Sequence, residues 1–206
     1  MNTTRSQLDA TLRFYDAVAD RFWEGTHDHD VTQNYAALLN ALDNRDGMRI
    51  LDFGCGPGRD LIWFRDHGHD VIGLDGSAAF VEDARNRTGC EVWHQDFIAL
   101  ELPPAHFDGV FANASLLHVP MDDILQVLAR IFASLKAGGV LFASNPRGND
   151  EEAFDGQRFR SKWRDETWLE LVPKAGFEPV DHYWRPSGLP RDQQPWFAPV
   201  WRKPAD

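Results

Sequence analysis

The sequence predicts an α/β fold in which helices cover both faces of a mostly parallel β-sheet. Between residues 48 and 145, short apolar runs alternate with segments of helical periodicity, and this alternation is typical of parallel strands joined by helices. The first apolar run enters a glycine cluster, as a buried parallel strand does. In the last third of the chain, two strand-like segments flank a proline-rich loop, which predicts an antiparallel pair at the edge of the sheet.

Each element follows from its own pattern. Apolar residues three and four positions apart predict helices at 6–22, 31–43, 58–67, 77–87, 121–136 and 165–177. Apolar runs predict strands at 48–53, 70–75, 90–95, 107–113, 138–145, 177–185 and 195–203, which gives a sheet of seven strands. Because no internal repeat or linker interrupts the pattern, residues 1–206 are expected to form a single domain.

Composition narrows the classes of function. The formal net charge of −11 argues against a nucleic-acid backbone as partner, because such partners favour a basic surface. The two cysteines, Cys55 and Cys90, lie far apart, as in a chain without a disulfide framework or zinc motif. The N-terminus lacks a signal-peptide pattern, and no run approaches the ~18 apolar residues of a membrane span. These features predict a cytoplasmic protein that does not enter a membrane.

The stretch "ILDFGCGPGRDL" at 50–61 is the most specific motif in the chain. Gly54, Gly56 and Gly58 follow a strand that ends in Asp52, and such glycines let a backbone approach a ligand at a helix N-terminus. The dinucleotide fingerprint would need Gly or Ala where Arg59 stands. A phosphate-binding loop would need Gly-Lys-Ser/Thr, which is absent here.

The D-x-G-x-G-x-G form resembles motif I of class I S-adenosylmethionine-dependent methyltransferases. The resemblance implies a Rossmann-like fold, S-adenosyl-L-methionine as cofactor and S-adenosyl-L-homocysteine as product. It implies that Asp75 accepts the ribose hydroxyls, that Asp96 reads the adenine amino group and that Phe97 stacks on its ring, although Asp75 alone also suits a helix cap and Asp96 a turn. The cofactor contacts expected from the resemblance are Trp23, Thr26, Asp52, Gly54, Cys55, Gly56, Arg59, Asp75, Gly76, Ser77, Asp96, Phe97, Asn113, Ala114 and His118.

The acceptor is expected to be a small molecule. Nucleic-acid methyltransferases carry Asn/Asp-Pro-Pro-Tyr after strand four, where this chain has "NASL". The segments "FWEGTHDHDVTQNYAALL", "FANASLLHVP", "SNPRGNDEEAFDGQRF" and "YWRPSGLPRDQQPWFAPVWRK" look like the methyltransferase of ovothiol biosynthesis. That family methylates the π nitrogen of the 5-thiohistidine imidazole to form ovothiol A. It occurs as a separate chain or fused to an iron-dependent sulfoxide synthase, which is therefore an implied partner.

The resemblance also divides the chain into functional parts. It implies a helical lid at 1–45, a cofactor-binding core at 46–145, and substrate loops with the terminal strand pair at 146–206. Asn113 and Asn145 are candidates for positioning the acceptor, and no dedicated base is required. His118 is a possible base, although a role in ordering its loop is favoured. The candidates for substrate binding are Tyr15, His29, Gln33, Asn34, Asn145, Arg147 and Arg185, with the two arginines as alternatives for a carboxylate.

The tetrad His27-Asp28-His29-Asp30 suggests a metal at first sight. Its side chains cannot converge on one ion, because neighbours in an extended segment point to opposite faces and residues two apart in a helix do not face each other. No metal is therefore expected. Asp30 is instead predicted to cap the helix that follows, with Gln33 completing a capping box.

Three other functions stay open from sequence alone. The chain could methylate another small thiol, amine or oxyanion, because fold does not determine the acceptor. It could bind the cofactor as a regulatory protein without turnover. A nicotinamide oxidoreductase is disfavoured by the glycine spacing.

Overall fold

A seven-stranded sheet forms the centre of the computed structural model, which describes residues 3–205. The strands of the chain are β1 (Arg49–Phe53), β2 (Asp70–Asp75), β3 (Glu91–His94), β4 (Phe107–Asn113), β5 (Leu135–Pro146), β6 (Glu151–Phe154), β7 (Phe159–Lys162), β8 (Glu178–Arg185) and β9 (Trp196–Arg202). The α-helices are α1 (Thr3–Glu24), α2 (Thr32–Ala41), α3 (Arg59–Asp66), α4 (Ala78–Thr88), α5 (Ile124–Ser134) and α6 (Asp165–Leu171). Short 3₁₀ helices cover Leu116–His118, Val172–Ala175 and Arg191–Gln193.

The strand order is β3-β2-β1-β4-β5-β9-β8. The first five strands in this order run parallel, and β9 runs antiparallel to both β5 and β8. The strand order reverses between β1 and β4, and ligands of such sheets bind beyond the carboxyl ends of the strands at this reversal. The predicted fold class is confirmed, including the antiparallel terminal pair.

Two apolar clusters pack against opposite faces of the sheet. In β5, Leu141 and Ala143 belong to one cluster, and Val140 and Phe142 belong to the other. This alternation is the period of a strand that is buried on both faces. The apolar face of α5 covers the first side, whereas α2 and α3 cover the second. None of the helices described within residues 3–205 is long and apolar enough to cross a membrane.

Residues 146–164, expected to be a substrate loop, contain a hairpin that the sequence did not predict. β6 pairs antiparallel with β7 as a separate two-stranded sheet. The carboxylate of Asp155 accepts the backbone N–H groups of Gln157 and Arg158 and so closes the turn. Every residue of β6 is exposed, so the apolar alternation that reveals a half-buried strand is missing.

Two predicted helix ends are wrong. The segment expected to be helical at 165–177 leaves α-helical geometry after Leu171, because Pro173 cannot donate a backbone hydrogen bond. Val31 and not Asp30 occupies the N-cap position of α2, and the capping box with Gln33 does not form. Asp30 instead accepts hydrogen bonds from the backbone N–H and the hydroxyl of Thr32.

Candidate active site

A cavity of about 580 Å³ lies at the carboxyl ends of β1, β2 and β4, beneath α1. The predicted site residues that line it are Tyr15, Thr26, His29, Gly54, Cys55, Gly56, Arg59, Asp75, Gly76, Asp96, Phe97, Asn113, Ala114, His118 and Arg185. Lining residues that sequence reasoning did not assign to the site are Leu8, Thr11, Leu12, Phe22, Asp30, Val31, Pro57, Asp60, Phe80, Ile98, Ser115 and Trp196. Predicted residues that do not line it are Trp23, Gln33, Asn34, Asp52, Ser77, Asn145 and Arg147.

The glycine loop forms one end of the cavity through backbone conformations that favour glycine. Gly54 has φ +77°, and a Cβ there would lie 2.3 Å from the Cβ of Ser115. The backbone N–H of Gly56 donates to Oδ2 of Asp75 over 2.9 Å, and the N–H of Ser77 donates to Oδ1 over the same distance. Asp75 therefore ties the loop after β1 to the end of β2.

Burial raises the pKa of Asp75 to about 6, despite the opposing effect of the N–H groups of Ser77 and Gly56. A carboxylate with N–H groups on both oxygens keeps lone pairs for further donors. Because such a group at the end of the second strand suits the two hydroxyls of a ribose, Asp75 fits the cofactor that the resemblance implies.

Asp96 and Phe97 lie on the cavity wall beyond the end of β3. Oδ1 of Asp96 accepts the backbone N–H of Ile98 over 3.1 Å, while Oδ2 accepts Nη1 of Arg5 from α1 over 2.5 Å. The ring of Phe97 packs on Phe53, with centroids 4.5 Å apart. A carboxylate beside an apolar ring matches the polar edge and the flat face of an adenine.

The inner face of α1 closes the cavity, and its register corrects one prediction. Tyr15 packs against Phe22 and Phe80, with ring centroids 5.8 and 5.5 Å away. Trp23, predicted to contact the cofactor, instead stacks on His27 and lies under the guanidinium of Arg87. One residue along a helix turns the side chain by about 100°, so Phe22 and not Trp23 faces the cavity.

Tyr15 and His118 form a hydrogen-bonded pair across the cavity. Nδ1 of His118 lies 2.8 Å from the carbonyl of Phe159, and Nε2 lies 2.9 Å from the Tyr15 hydroxyl. Because a carbonyl only accepts, Nδ1 carries the proton and Nε2 accepts from Tyr15. Burial lowers the pKa of His118 to about 4, so the imidazole is neutral at pH 7. His118 thereby links α1, its own loop and the hairpin.

Asp60 anchors a polar cluster next to the glycine loop. Arg59 donates to both of its carboxylate oxygens, over 2.7 and 2.9 Å, and the Tyr35 hydroxyl donates over 2.5 Å. Arg59 also reaches the backbone carbonyl of Thr26 over 3.2 Å. The segment that follows α1 is thus connected to the start of α3.

Several residues predicted to contact ligand occupy structural positions instead. Arg147 donates Nε to both oxygens of Asp165 over 2.9 Å, and its Nη1 reaches the carbonyl oxygens of Arg191 and Gln194. The hydrogen bonds of this guanidinium are therefore made within the protein, which corrects the prediction that Arg147 contacts the substrate. Gln33 is exposed on α2 and lies away from the cavity.

Asp52, Ser77 and Asn145 are buried behind the cavity wall. Burial, followed by the charge of Asp60, raises the pKa of Asp52 well above its usual range. Ser77 caps α4 by accepting the N–H of Phe80. Within residues 3–205, no partner bonds either amide atom of Asn145. Within the same range, no three His, Cys, Asp or Glu side chains are grouped to hold a metal ion.

Comparisons with known proteins find similarity to methyltransferases. Residues 50–139 match a family model described as a methyltransferase domain. The chain is 30% identical over 152 residues to a trans-aconitate 2-methyltransferase of Variovorax paradoxus (strain S110), covering 72% of this chain and 57% of that protein. It is 35% identical over 106 residues to a malonyl-[acyl-carrier protein] O-methyltransferase of Enterobacter lignolyticus (strain SCF1), covering 51% and 41%. The chain thus spans about half the length of these curated relatives.

The fold is also similar to that of a solved enzyme with ligands. The 1,6-didemethyltoxoflavin-N1-methyltransferase of Burkholderia thailandensis, with bound 1,6-didemethyltoxoflavin and S-adenosylhomocysteine, superposes with a TM-score of 0.80. The alignment covers 99% of this chain and 92% of that one at 23% identity, so the likeness concerns the fold. Residues 50–139 thus match a methyltransferase domain, the fold is that of class I methyltransferases, and the glycine loop with the carboxylates after β2 and β3 fits S-adenosylmethionine as the cofactor.

Proposed function

We propose that the protein transfers a methyl group to the imidazole π nitrogen of 5-thiohistidine. The support comes from segments that carry the resemblance to the ovothiol family. Although distant in sequence, they contribute neighbouring parts of one cavity wall: His29 and Asp30 from the lid, Asn113 from the end of β4, and Arg185 and Trp196 from the terminal strands.

The main support for this acceptor is a pair of opposite charges that line the cavity. Asp30 and Arg185 both line it, and hydrogen bonds from Thr32, aided by the charge of Arg185, lower the pKa of Asp30. In the part of the chain that the structure describes, the Arg185 guanidinium makes no hydrogen bond or ion pair. A free amino acid carries an ammonium and a carboxylate on one carbon, which complement this pair. Guanidinium is well suited to carboxylate because it donates two parallel hydrogen bonds.

The residues of the chain divide the work of the reaction. Asp75 and Asp96 would hold the ribose and adenine of the cofactor, which when bound supplies an activated methyl group. Asp30 and Arg185 hold the amino-acid end of the acceptor, so that the ring is aligned with the methyl group. The 5-thiohistidine anion already has a nitrogen lone pair, so His118 with its lowered pKa is not needed as a base.

The assay is incubation with S-adenosylmethionine and 5-thiohistidine, followed by NMR location of the new methyl group. We expect methylation at the π nitrogen. Product methylated on sulfur, or no turnover while another thiol or amine reacts well, would refute the assignment. S-adenosylhomocysteine production also separates an enzyme from a regulatory protein that binds the cofactor without turnover.

A variant pair tests the recognition of the amino-acid end. Arg185→Gln should lower kcat/KM for 5-thiohistidine by about 10- to 100-fold, which corresponds to one charged hydrogen-bonded contact. The same variant should leave kcat/KM unchanged for 4-mercaptoimidazole, which lacks the amino-acid end. Equal losses on both acceptors would contradict the assigned contact.

A carboxylic-acid acceptor is the second candidate, because Arg185 would equally bind a carboxylate. The names of two relatives point to this chemistry, as one acts on trans-aconitate and the other on a malonyl group. A parallel assay with trans-aconitate distinguishes the candidates, since an ester product would favour this alternative.

A further inference from the structure

The side-chain amide of Asn113 is tied to a buried hydrogen-bond chain. Asn113 is the last residue of β4 and lines the cavity. Its Oδ1 lies 3.0 Å from Nδ2 of Asn34, and Oδ1 of Asn34 lies 2.8 Å from the Tyr183 hydroxyl. At the other end, Nδ2 of Asn113 lies 3.5 Å from Oδ2 of Asp60. Asn34 is fully buried, so its amide has no water as an alternative partner.

The carboxylate of Asp60 determines the direction of this chain. With Arg59 donating to both oxygens, Asp60 is ionised and can only accept hydrogen bonds. Asn113 must therefore turn Nδ2 towards Asp60, because its carbonyl oxygen would be repelled there. Oδ1 of Asn113 then faces Asn34, which must donate to it. Asn34 in turn presents its own oxygen to the Tyr183 hydroxyl.

One hydrogen of the Asn113 amide is left over. An Asn Nδ2 carries two hydrogens, and among residues 3–205 Asp60 is the one acceptor that it contacts. The carbonyl oxygen is used by Asn34. At the end of β4, Asn113 therefore has an N–H available to donate to a ligand, beside the second lone pair of its Oδ1.

We infer that Asn113 donates this N–H to the anionic sulfur of the acceptor and so directs the methyl group to nitrogen. The inference rests on the proposed function. A sulfur held by Asn113 is kept out of line with the methyl–sulfonium bond, while the ring nitrogen stays free to attack. The nitrogen lone pair forms the new N–C bond, the S–C bond breaks with its electrons on the departing sulfur, and no proton is transferred.

Asn34 and Tyr183 are positioning residues on this view. Tyr183→Phe removes the donor to Asn34 and leaves the buried Asn34 oxygen without a partner. The Asn34 amide is then held less firmly, so it restrains the Asn113 amide less, although Asp60 still orients Asn113. A turnover defect alone would not separate this role from a structural one, so the readout must be the position of methylation.

The test measures the ratio of N-methyl to S-methyl product by NMR for wild type, Asn113→Ala and Tyr183→Phe. Loss of one hydrogen bond of about 1.4 kcal/mol predicts a tenfold fall in the ratio for Asn113→Ala. A smaller fall is expected for Tyr183→Phe. Val180 is exposed on β8, the strand that carries Tyr183. Val180→Ala is therefore the matched control and should keep the wild-type ratio of products.

The outcomes separate the inference from the proposed function. If wild type makes N-methyl product and Asn113→Ala keeps the same ratio, the inference is wrong and the proposed function stands. If wild type makes no N-methyl product, both are wrong. Circular dichroism and S-adenosylhomocysteine binding establish that each variant folds, and Asn113→Leu, which keeps the approximate size without an N–H, tests the inference should Asn113→Ala fail to fold.

Discussion

The buried carboxyl of Asp75 predicts that cofactor affinity falls in mild acid. Burial raises its pKa to about 6, from a reference value of 3.8. Only the ionised form accepts both ribose hydroxyls without giving up a lone pair to a proton. Binding must therefore remove a proton below pH 6, and the dissociation constant rises as the protonated fraction grows.

The size of the effect follows from linkage. With a pKa near 6 in the free protein and ionised Asp75 in the complex, the dissociation constant scales as 1 + 10^(pKa − pH). Between pH 7 and pH 5 this factor rises about tenfold, or about 1.4 kcal/mol. The stability of the free protein changes in the opposite sense. Since the folded pKa is raised, the contribution of Asp75 is present below pH 3.8 and is lost as pH rises through about 6.

Isothermal titration of S-adenosylhomocysteine at pH 5, 6 and 7 measures the change in affinity. Asp75→Asn is the control, because it keeps the shape but cannot ionise. We expect weaker binding by the variant at pH 7 and a smaller dependence on pH. A wild-type dissociation constant that is the same at pH 5 and 7, or an equal slope in the variant, would refute the assigned ribose contact.

Three further predictions test the packing and the ion pairs. Gly58→Ala should lower the free energy of unfolding in urea by about 2–4 kcal/mol, because φ is +99° and the new Cβ would lie 2.6 Å from Cγ2 of Thr88. The control is Gly89→Ala at φ +67°, where the new Cβ meets no atom within 4 Å and the loss should be about 1 kcal/mol. Equal losses would contradict the clash at Gly58. Arg147→Ala should destabilise the protein by about 2 kcal/mol, because Asp165 loses its guanidinium partner and keeps, among the described residues, only the indole N–H of Trp184. We expect kcat/KM to stay unchanged, and a large kinetic loss would show that Arg147 contributes to the site. Arg5→Ala should change the free energy of unfolding by less than about 1 kcal/mol by thermal melting, since its side chain is 48% exposed; a larger loss would mean that the contact with Asp96 holds α1 in place.

The sequence was sufficient for elements whose signal is local. Apolar runs predict the inner strands β1, β2, β4, β5 and β9 because both faces of the sheet are buried there. The predicted edge strands β3 and β8 also form, although they are largely exposed. The β6–β7 hairpin has no such signal, and its contacts are distant in sequence. The backbone N–H of Phe159 donates to the hydroxyl of Thr11, while its carbonyl accepts from His118.

The cavity residues show the same limit. Helical periodicity places Phe22 on the same face of α1 as Tyr15, and both line the cavity. The contact with Trp23 was expected from the resemblance alone, and Trp23 lies outside the cavity. Arg147 and Arg185 are equivalent as sequence candidates. Their difference depends on Asp165, which occupies the guanidinium of Arg147 in the folded chain.

The charge of the cavity wall limits what the protein can contribute to methyl transfer. Asp75 and Asp96 line the cavity, and the negative charge that they contribute favours a cofactor with a positive sulfonium over an uncharged one. Transfer to an anionic acceptor consumes both charges, and the same carboxylates then do not favour the transition state over the ground state. Rate enhancement must come from alignment. For the proposed acceptor, the directed amide of Asn113 and the contacts at Asp30 and Arg185 therefore matter more for turnover than any base in the cavity.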